Sequence, residues 1–375
     1  MDFLTPAEVS TTTTILNKRQ RCLQWTVANV WKHPFIKLLF TLPVVLLICR
    51  TLMPNYFSFT VTYFKIIVDM VNKDLHRTQD IFRQEAELVW NNHQLQKRFM
   101  QKICKEKKIS KKHFIWLVSL SSDNVLPGAI TVAHSIKKIS CYTKIGALVT
   151  SELSNVTRQV LKKVGYEIFE VESLDCNWME RKLGLKPTDS GIPGTHTRFQ
   201  AWSLLQFDKI AYVDIDFMQL TNMDEIFDMP GDLSAVYCSR PGVVDPCFNA
   251  GLAVLRPSME TRAGLMAKWE ELTSVIGCIS DQVVMWYFFA FAGRWNPLPY
   301  SYNVRRKLYY PMKAYHFAGY GVTPKPWDMK KPPTKKEAFE FPGPATNRDH
   351  MNILWWQLFY DALDEYNLHM WWKST

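Results

Sequence analysis

Residues 211–220 read AYVDIDFMQL: an apolar run through Ile210 and Val213 breaks into Asp214 and Asp216, then resumes with Phe217 and Met218. In a strand, residues i and i+2 point to the same side, so both carboxylates are expected to converge, roughly 6–7 Å apart. Two anions that close are costly unless a cation sits between them. Around this stretch, Phe114–Leu120 reads as a buried strand, Gly128–Ile139 as a helix and Lys144–Val149 as a second strand. Val156–Val164 reads as another helix and Tyr166–Val171 as another strand. Apolar strands alternating with helices predict an α/β fold, with a mostly parallel central sheet flanked on both sides. The strand Lys209–Val213 would then be interior, and its carboxyl end is where open α/β sheets bind ligands.

The chain has 375 residues, 47% of them hydrophobic, enough for one large core or two ordinary ones. Its 45 Lys and Arg against 35 Asp and Glu give a net charge of +10 and point to anionic partners. The basic clusters, Lys18–Arg21 and Lys105–Lys112, are not interleaved with aromatics and no nucleic-acid-binding signature accompanies them. No nucleic-acid partner is therefore expected. None of the eight cysteines forms a CxxC pair, which argues against a zinc or redox motif. Six lie beyond residue 100; they permit disulfides, with isolated buried thiols as the default expectation.

Residues 38–49, LLFTLPVVLLIC, are the most apolar window, bracketed by Lys37 and Arg50. Phe35 and Met53 extend it toward the length of a membrane span, and a buried hydrophobic helix is the alternative. Cations upstream would hold the N-terminus in the cytoplasm and place the bulk in a lumen. The expected order is a cytoplasmic tail (1–34), a membrane anchor (35–53) and a helical stem (54–112). A catalytic domain (113–332) and an aromatic-rich C-terminal extension packing on it (333–375) follow. Ile81, Leu88 and Leu95 recur at seven residues in the stem, a pattern compatible with a homodimer. The localisation expected is single-pass type II in the Golgi or endoplasmic reticulum, and the sequon Asn155-Val156-Thr157 fits a lumenal domain.

Converging carboxylates in a basic protein suit a hard divalent cation, Mn²⁺ or Mg²⁺, whose remaining positions phosphate oxygens can fill. The triplet DxD alone is weak, but further motifs accompany it. They are THTRFQAWSLLQFDKIAYVDID at 195–216, CFNAGLAVLRPS at 247–258, SDQVVMWYF at 280–288 and YHFAGYGVTPKPWD at 315–328. In this order the set resembles glycosyltransferase family 8, the glycogenin-like and galactinol-synthase-like retaining sugar transferases. The resemblance runs from about Phe114 to Asp328 and implies a Rossmann-like nucleotide-sugar transferase fold of the GT-A type.

It also implies Mn²⁺ on Asp214, Asp216 and His316, with Lys325 holding the diphosphate of a UDP-sugar and Gly319 letting the backbone approach it. Leu120, Ser122 and Asp123 would cradle the uridine, and Asn249, Ala250 and Gly251 would lie beneath the donor sugar. Arg198 would contact sugar or diphosphate, and Asp281 and Gln282 would stand beside the anomeric carbon. The loop YGVTP between Gly319 and Lys325 is longer than in glycogenin. The implied activity is retaining transfer of a hexose from a UDP-sugar to a glycan, glycolipid or other hydroxyl acceptor. A self-glucosylating primer with Tyr309 or Tyr310 as acceptor, a galactinol-type synthase and an inactive nucleotide-binding scaffold are the alternatives.

Overall fold

The computed structural model describes residues 104, 113–188, 192–238, 247–319, 324–343 and 345–374, all within the unit Gln79–Thr375. The expected tail, anchor and, Cys104 apart, stem lie outside the described residues. Among the described residues, no single helix is long and apolar enough to cross a bilayer.

The chain opens with β1 (Phe114–Leu120), α1 (Leu126–Ile139), β2 (Ile145–Val149), α2 (Asn155–Val164), β3 (Tyr166–Glu170) and α3 (Cys176–Lys182). Local signals set these boundaries. At α2 the Ser154 side chain accepts from the Thr157 N–H, and Gly165, at φ 95°, closes the other end in a conformation that costs glycine little. A 3₁₀ segment, Thr195–Ser203, precedes β4 (Lys209–Val213) and β5 (Phe217–Gln219). Then come β6 (Leu233–Tyr237), β7 (Phe248–Leu255), α4 (Met259–Ile276) and α5 (Asp281–Met285), the last running into a π-helical turn, Trp286–Ala290. Strands β8 (Asn296–Leu298), β9 (Val304–Arg305) and β10 (Ala314–His316) lead to α6 (Lys335–Glu340), α7 (Arg348–Glu365) and α8 (His369–Ser374).

The main sheet runs β3-β2-β1-β4-β7-β6-β8, with β4 interior as expected. It is mostly parallel, but β7 is antiparallel to both neighbours, β4 and β6. A buried apolar run such as Leu252–Leu255 reads alike in either direction, so composition carried no warning of the reversal. Along β1, side chains alternate between two cores. Phe114, Trp116, Val118 and Leu120 face α1 and α2, while Ile115 and Leu117 face a layer holding Phe199, Trp202 and Trp269.

The second sheet, β5-β10-β9, is small and decides where the site forms. Antiparallel pairing sets His316 opposite Phe217, and the Phe317 N–H donates to the Asp216 carbonyl at 2.9 Å. A histidine a hundred residues downstream of the aspartates is thereby fixed beside them by register. On the α1 face, α7 buries Trp355, Trp356 and Phe359, with Trp355 stacked on Phe359 at 5.3 Å. Such side chains each remove about 150–250 Å² from water, worth roughly 4–6 kcal/mol before entropy. From sequence, Asn352 to Tyr366 reads as helical; the helix starts earlier, at Arg348, because Asn347 accepts from the His350 N–H and caps a polar first turn.

Two further expectations are corrected. Six cysteines form disulfides, Cys104–Cys141, Cys176–Cys278 and Cys238–Cys247, rather than isolated thiols. Asp281 and Gln282 read from sequence as the cap of an apolar helix; Ser280 caps it instead, and Asp281 is buried in the first turn. In the sequon, Asn155 is exposed but Thr157 is buried against its helix cap.

Candidate metal centre

Strand β4 ends at Val213, so Asp214 and Asp216 occupy a turn rather than one strand face. The Phe217 N–H donates to the Asp214 carbonyl at 3.0 Å and closes that turn, while the Asp214 N–H ties back to the Gly251 carbonyl at 3.1 Å on β7. The carboxylates still converge, and β10 brings His316 between them. One donor atom from each of Asp214, Asp216 and His316 lies within 4.8 Å of the others. His316 Nε2 is 3.1 Å from Asp216 Oδ1 and 3.6 Å from Asp214 Oδ2.

The far side of the imidazole fixes its tautomer. His316 Nδ1 faces two amide oxygens, Asn249 Oδ1 and Asn303 Oδ1, each at 3.1 Å. Two acceptors require a proton on Nδ1, and Nε2 is turned toward the carboxylates, where it can offer its lone pair to an ion in place of a proton. A metal-binding histidine needs this arrangement, its second nitrogen anchored by a hydrogen bond. Gly251 makes room for the ring: a Cβ there would stand 2.2 Å from His316 Cε1. The residues present therefore fit a divalent ion with mixed oxygen and imidazole preference, such as Mn²⁺.

Lys325 pairs with Asp216 Oδ2 and donates to the Phe317 carbonyl at 2.9 Å. Burial alone would raise the Asp216 carboxyl, but the imidazole of His316 and the ammonium of Lys325 hold it well below the usual carboxylate range. Asp214 moves the other way, pushed up by burial, with the charges of Asp216 and Asp281 adding to it against Arg198 and His316.

Arg198 lies between two of the site's acids. Its guanidinium pairs with Asp214 at 2.8 Å and with Asp281, donates to the Ala250 carbonyl at 2.8 Å and lies over the Tyr212 ring at 4.7 Å. Burial opposes its charge, yet the two carboxylates raise its pKa further above its ordinary value. Through these contacts Arg198 couples Asp281 to the metal-side aspartate. Gln282 Oε1 accepts from Asn249 Nδ2 at 3.1 Å and from the Ala250 N–H at 2.9 Å. Asn249, Ala250, Gly251, Asp281 and Gln282 thus form one network with His316.

Leu120, Ser122 and Asp123 lie at and just beyond the carboxyl end of β1, beside β4. Leu120 is buried, and the Ser122 hydroxyl accepts from the Asn124 N–H at 3.3 Å. Asp123 accepts from the Ser154 N–H at 3.1 Å; burial raises its pKa, and hydrogen bonds from Thr157 and Ser154 more than reverse that. Gly319, three residues past His316, has φ 133°, which favours glycine. Asn303 is the residue that sequence reasoning missed. It is fully buried and donates to Asn249 Oδ1 at 2.8 Å, yet no motif spacing marks it.

No family model matches the chain. Among curated proteins it is similar to human glycogenin-1, 31% identical over 257 residues that cover 64% of this chain and 69% of that protein. Similarity to human glycogenin-2 is 29% over 263 residues, covering 64% of this chain, which spans half of that protein's length. A plant protein, UDP-glucuronate:xylan alpha-glucuronosyltransferase 1 of Arabidopsis thaliana, is 28% identical over 176 residues, 47% of this chain and 24% of its own.

Proposed function

The chain belongs to glycosyltransferase family 8, and from that premise we propose that it moves a hexose from a UDP-sugar to a hydroxyl of a glycan or glycolipid, with retention of configuration and dependence on Mn²⁺. The observation that carries this reading is the convergence of Asp214, Asp216 and an oriented His316, with Lys325 beside them. Asp214, Asp216 and His316 would hold the ion, which supplies Lewis-acid neutralisation of the diphosphate as it departs.

The chain's own residues do the rest. Lys325 is a point charge placed for a phosphate oxygen, and Asn249 and Asn303 keep the imidazole in register. Gln282, its oxygen held by Asn249 and Ala250, presents its amide toward the donor sugar. Arg198 pairs with Asp281 and compensates part of its charge, and the remaining field would be available to positive charge at the anomeric carbon. In the transfer, the bond from the anomeric carbon to the diphosphate oxygen breaks with its electron pair on oxygen. The acceptor oxygen forms the new bond, and its proton passes to the departing diphosphate oxygen. The activity is tested by incubating the protein with UDP-glucose, UDP-galactose, UDP-glucuronate or UDP-N-acetylglucosamine and Mn²⁺; free UDP is expected with one of them, and none with any donor overturns the reading.

We place the domain in the Golgi or endoplasmic reticulum lumen, on a type II anchor. The three disulfides support an oxidising compartment. A self-glucosylating primer is the second reading, favoured by the likeness to glycogenins. Of its two candidate acceptors, Tyr310 is buried with its hydroxyl on the Ala345 carbonyl, so Tyr309 is the better placed. Intact mass after UDP-glucose decides it: a hexose increment supports self-modification, and an unchanged mass removes it.

A further inference from the structure

Arg348 opens α7, in the extension that otherwise builds the aromatic core. Its guanidinium turns back to the loop after β10, with Nη2 3.4 Å from the carbonyl oxygens of Phe317 and Pro324 and Nη1 3.4 Å from that of Ala318. The Phe317 ring lies 5.6 Å away. These bonds are long for N–H donors, so the fork is loosely held. Among the described residues no carboxylate pairs with this half-buried cation; its neighbours are carbonyls, the Tyr315 phenol and a ring. The Phe317 carbonyl is also the acceptor for Lys325, whose ammonium sits on Asp216. Two cations, one from each side of residue 332, therefore meet at a single carbonyl next to the metal-side carboxylate.

The charge balance favours an anion there. Three carboxylates, Asp214, Asp216 and Asp281, face Arg198 and Lys325, and a divalent ion would leave the set with one net positive charge. A nucleoside diphosphate adds roughly two to three negative charges, more than that set neutralises. A planar guanidinium with donors to spare suits bidentate contact with phosphate oxygens.

We propose that Arg348 is a second phosphate-binding cation, gripping the donor's diphosphate together with Lys325. The proposal rests on the nucleotide-sugar reading above. It is tested by calorimetric titration of the full-length protein, in detergent with Mn²⁺, with UDP and with UMP as the monophosphate control. Relative to wild type, R348M is expected to bind UDP about 10- to 100-fold more weakly, with a much smaller change for UMP. R348K, which keeps the charge and is the safer variant for folding, should fall between, because the fork is lost. If both cations touch the diphosphate, R348M/K325M loses the product of the two single factors. If Arg348 only braces the loop that carries Lys325, R348M adds nothing once Lys325 is gone, and the proposal falls. Unchanged UDP affinity in R348M and R348K also overturns it while leaving the nucleotide-sugar reading intact. Failure of the wild type to bind UDP sinks both.

Discussion

Two regions of this protein bury histidine among charged groups, and they do so to different ends. Between α1 and α7, His134 is fully buried, with Nε2 3.2 Å from Asp361 Oδ2 and its ring against Tyr366 at 5.7 Å. Burial first, then the nearby charges of Lys138 and Lys137, push its pKa down to about 4, against the pull of Glu365. At the metal centre, His316 is also buried, but two asparagines fix its proton on the outer nitrogen and turn the other toward two carboxylates. His134 sits within packing that is complete without a further group. The set around His316 brings two acids, an imidazole nitrogen and an ammonium together, an arrangement that a divalent ion could occupy. Burial among charges is thus common to both regions, while unresolved convergence marks only one of them as a site.

Substitutions separate the regions. The largest effect is expected from Asp216→Asn, which removes a charge from the ion's place while keeping the volume. UDP release should fall by about 10⁴-fold or more while the fold is retained, and undiminished turnover would remove these carboxylates from the mechanism. Trp355→Ala acts on the other region: denaturant unfolding should show about 3–5 kcal/mol of lost stability, with turnover per folded molecule unchanged. A stability loss under 1 kcal/mol would mean that α7 is not part of the same cooperative core.

The pH dependence sharpens the contrast further. The folded pKa of His134, about 4, lies below its ordinary value, so as pH falls the unfolded chain takes up the proton first. Stability is then fully present above about pH 6.5 and is lost as pH drops toward 4, by on the order of 3 kcal/mol from this group. His196, also pushed down to about 4 by burial, works in the same direction. Unfolding of His134→Gln across that range should show a slope shallower by about one proton; an unchanged slope would show that His134 is not held neutral. The smallest effect expected is from Gly251→Ala, whose Cβ meets the His316 ring: Mn²⁺ affinity should weaken about 10- to 100-fold, and unaltered affinity would separate the ring's position from ion binding.

Much of this contrast was legible in the sequence, and the remainder was not for definite reasons. Phe114–Leu120 and the helix after it are set by period and composition, and both formed where expected. Asp214 and Asp216 were found by pattern, but for a partly mistaken reason, since a turn and not strand periodicity brings them together. His316 could be joined to them only through resemblance to a family, because its place depends on β10 register. Asn303 and the reversal of β7 left no local signal: an amide's partners and a buried strand's direction are properties of the assembled sheet. The first turn of α7 was missed because Arg348, Asp349 and His350 are polar, and only the Asn347 cap marks its start.

The most direct test of the metal centre is electron paramagnetic resonance of Mn²⁺ added to the purified protein, read for coupling to a histidine nitrogen. One bound ion with a nitrogen coupling that disappears in His316→Leu is the predicted result. An ion held equally tightly by wild type and that variant, with no nitrogen coupling in either, would contradict the assignment of Asp214, Asp216 and His316 as its ligands.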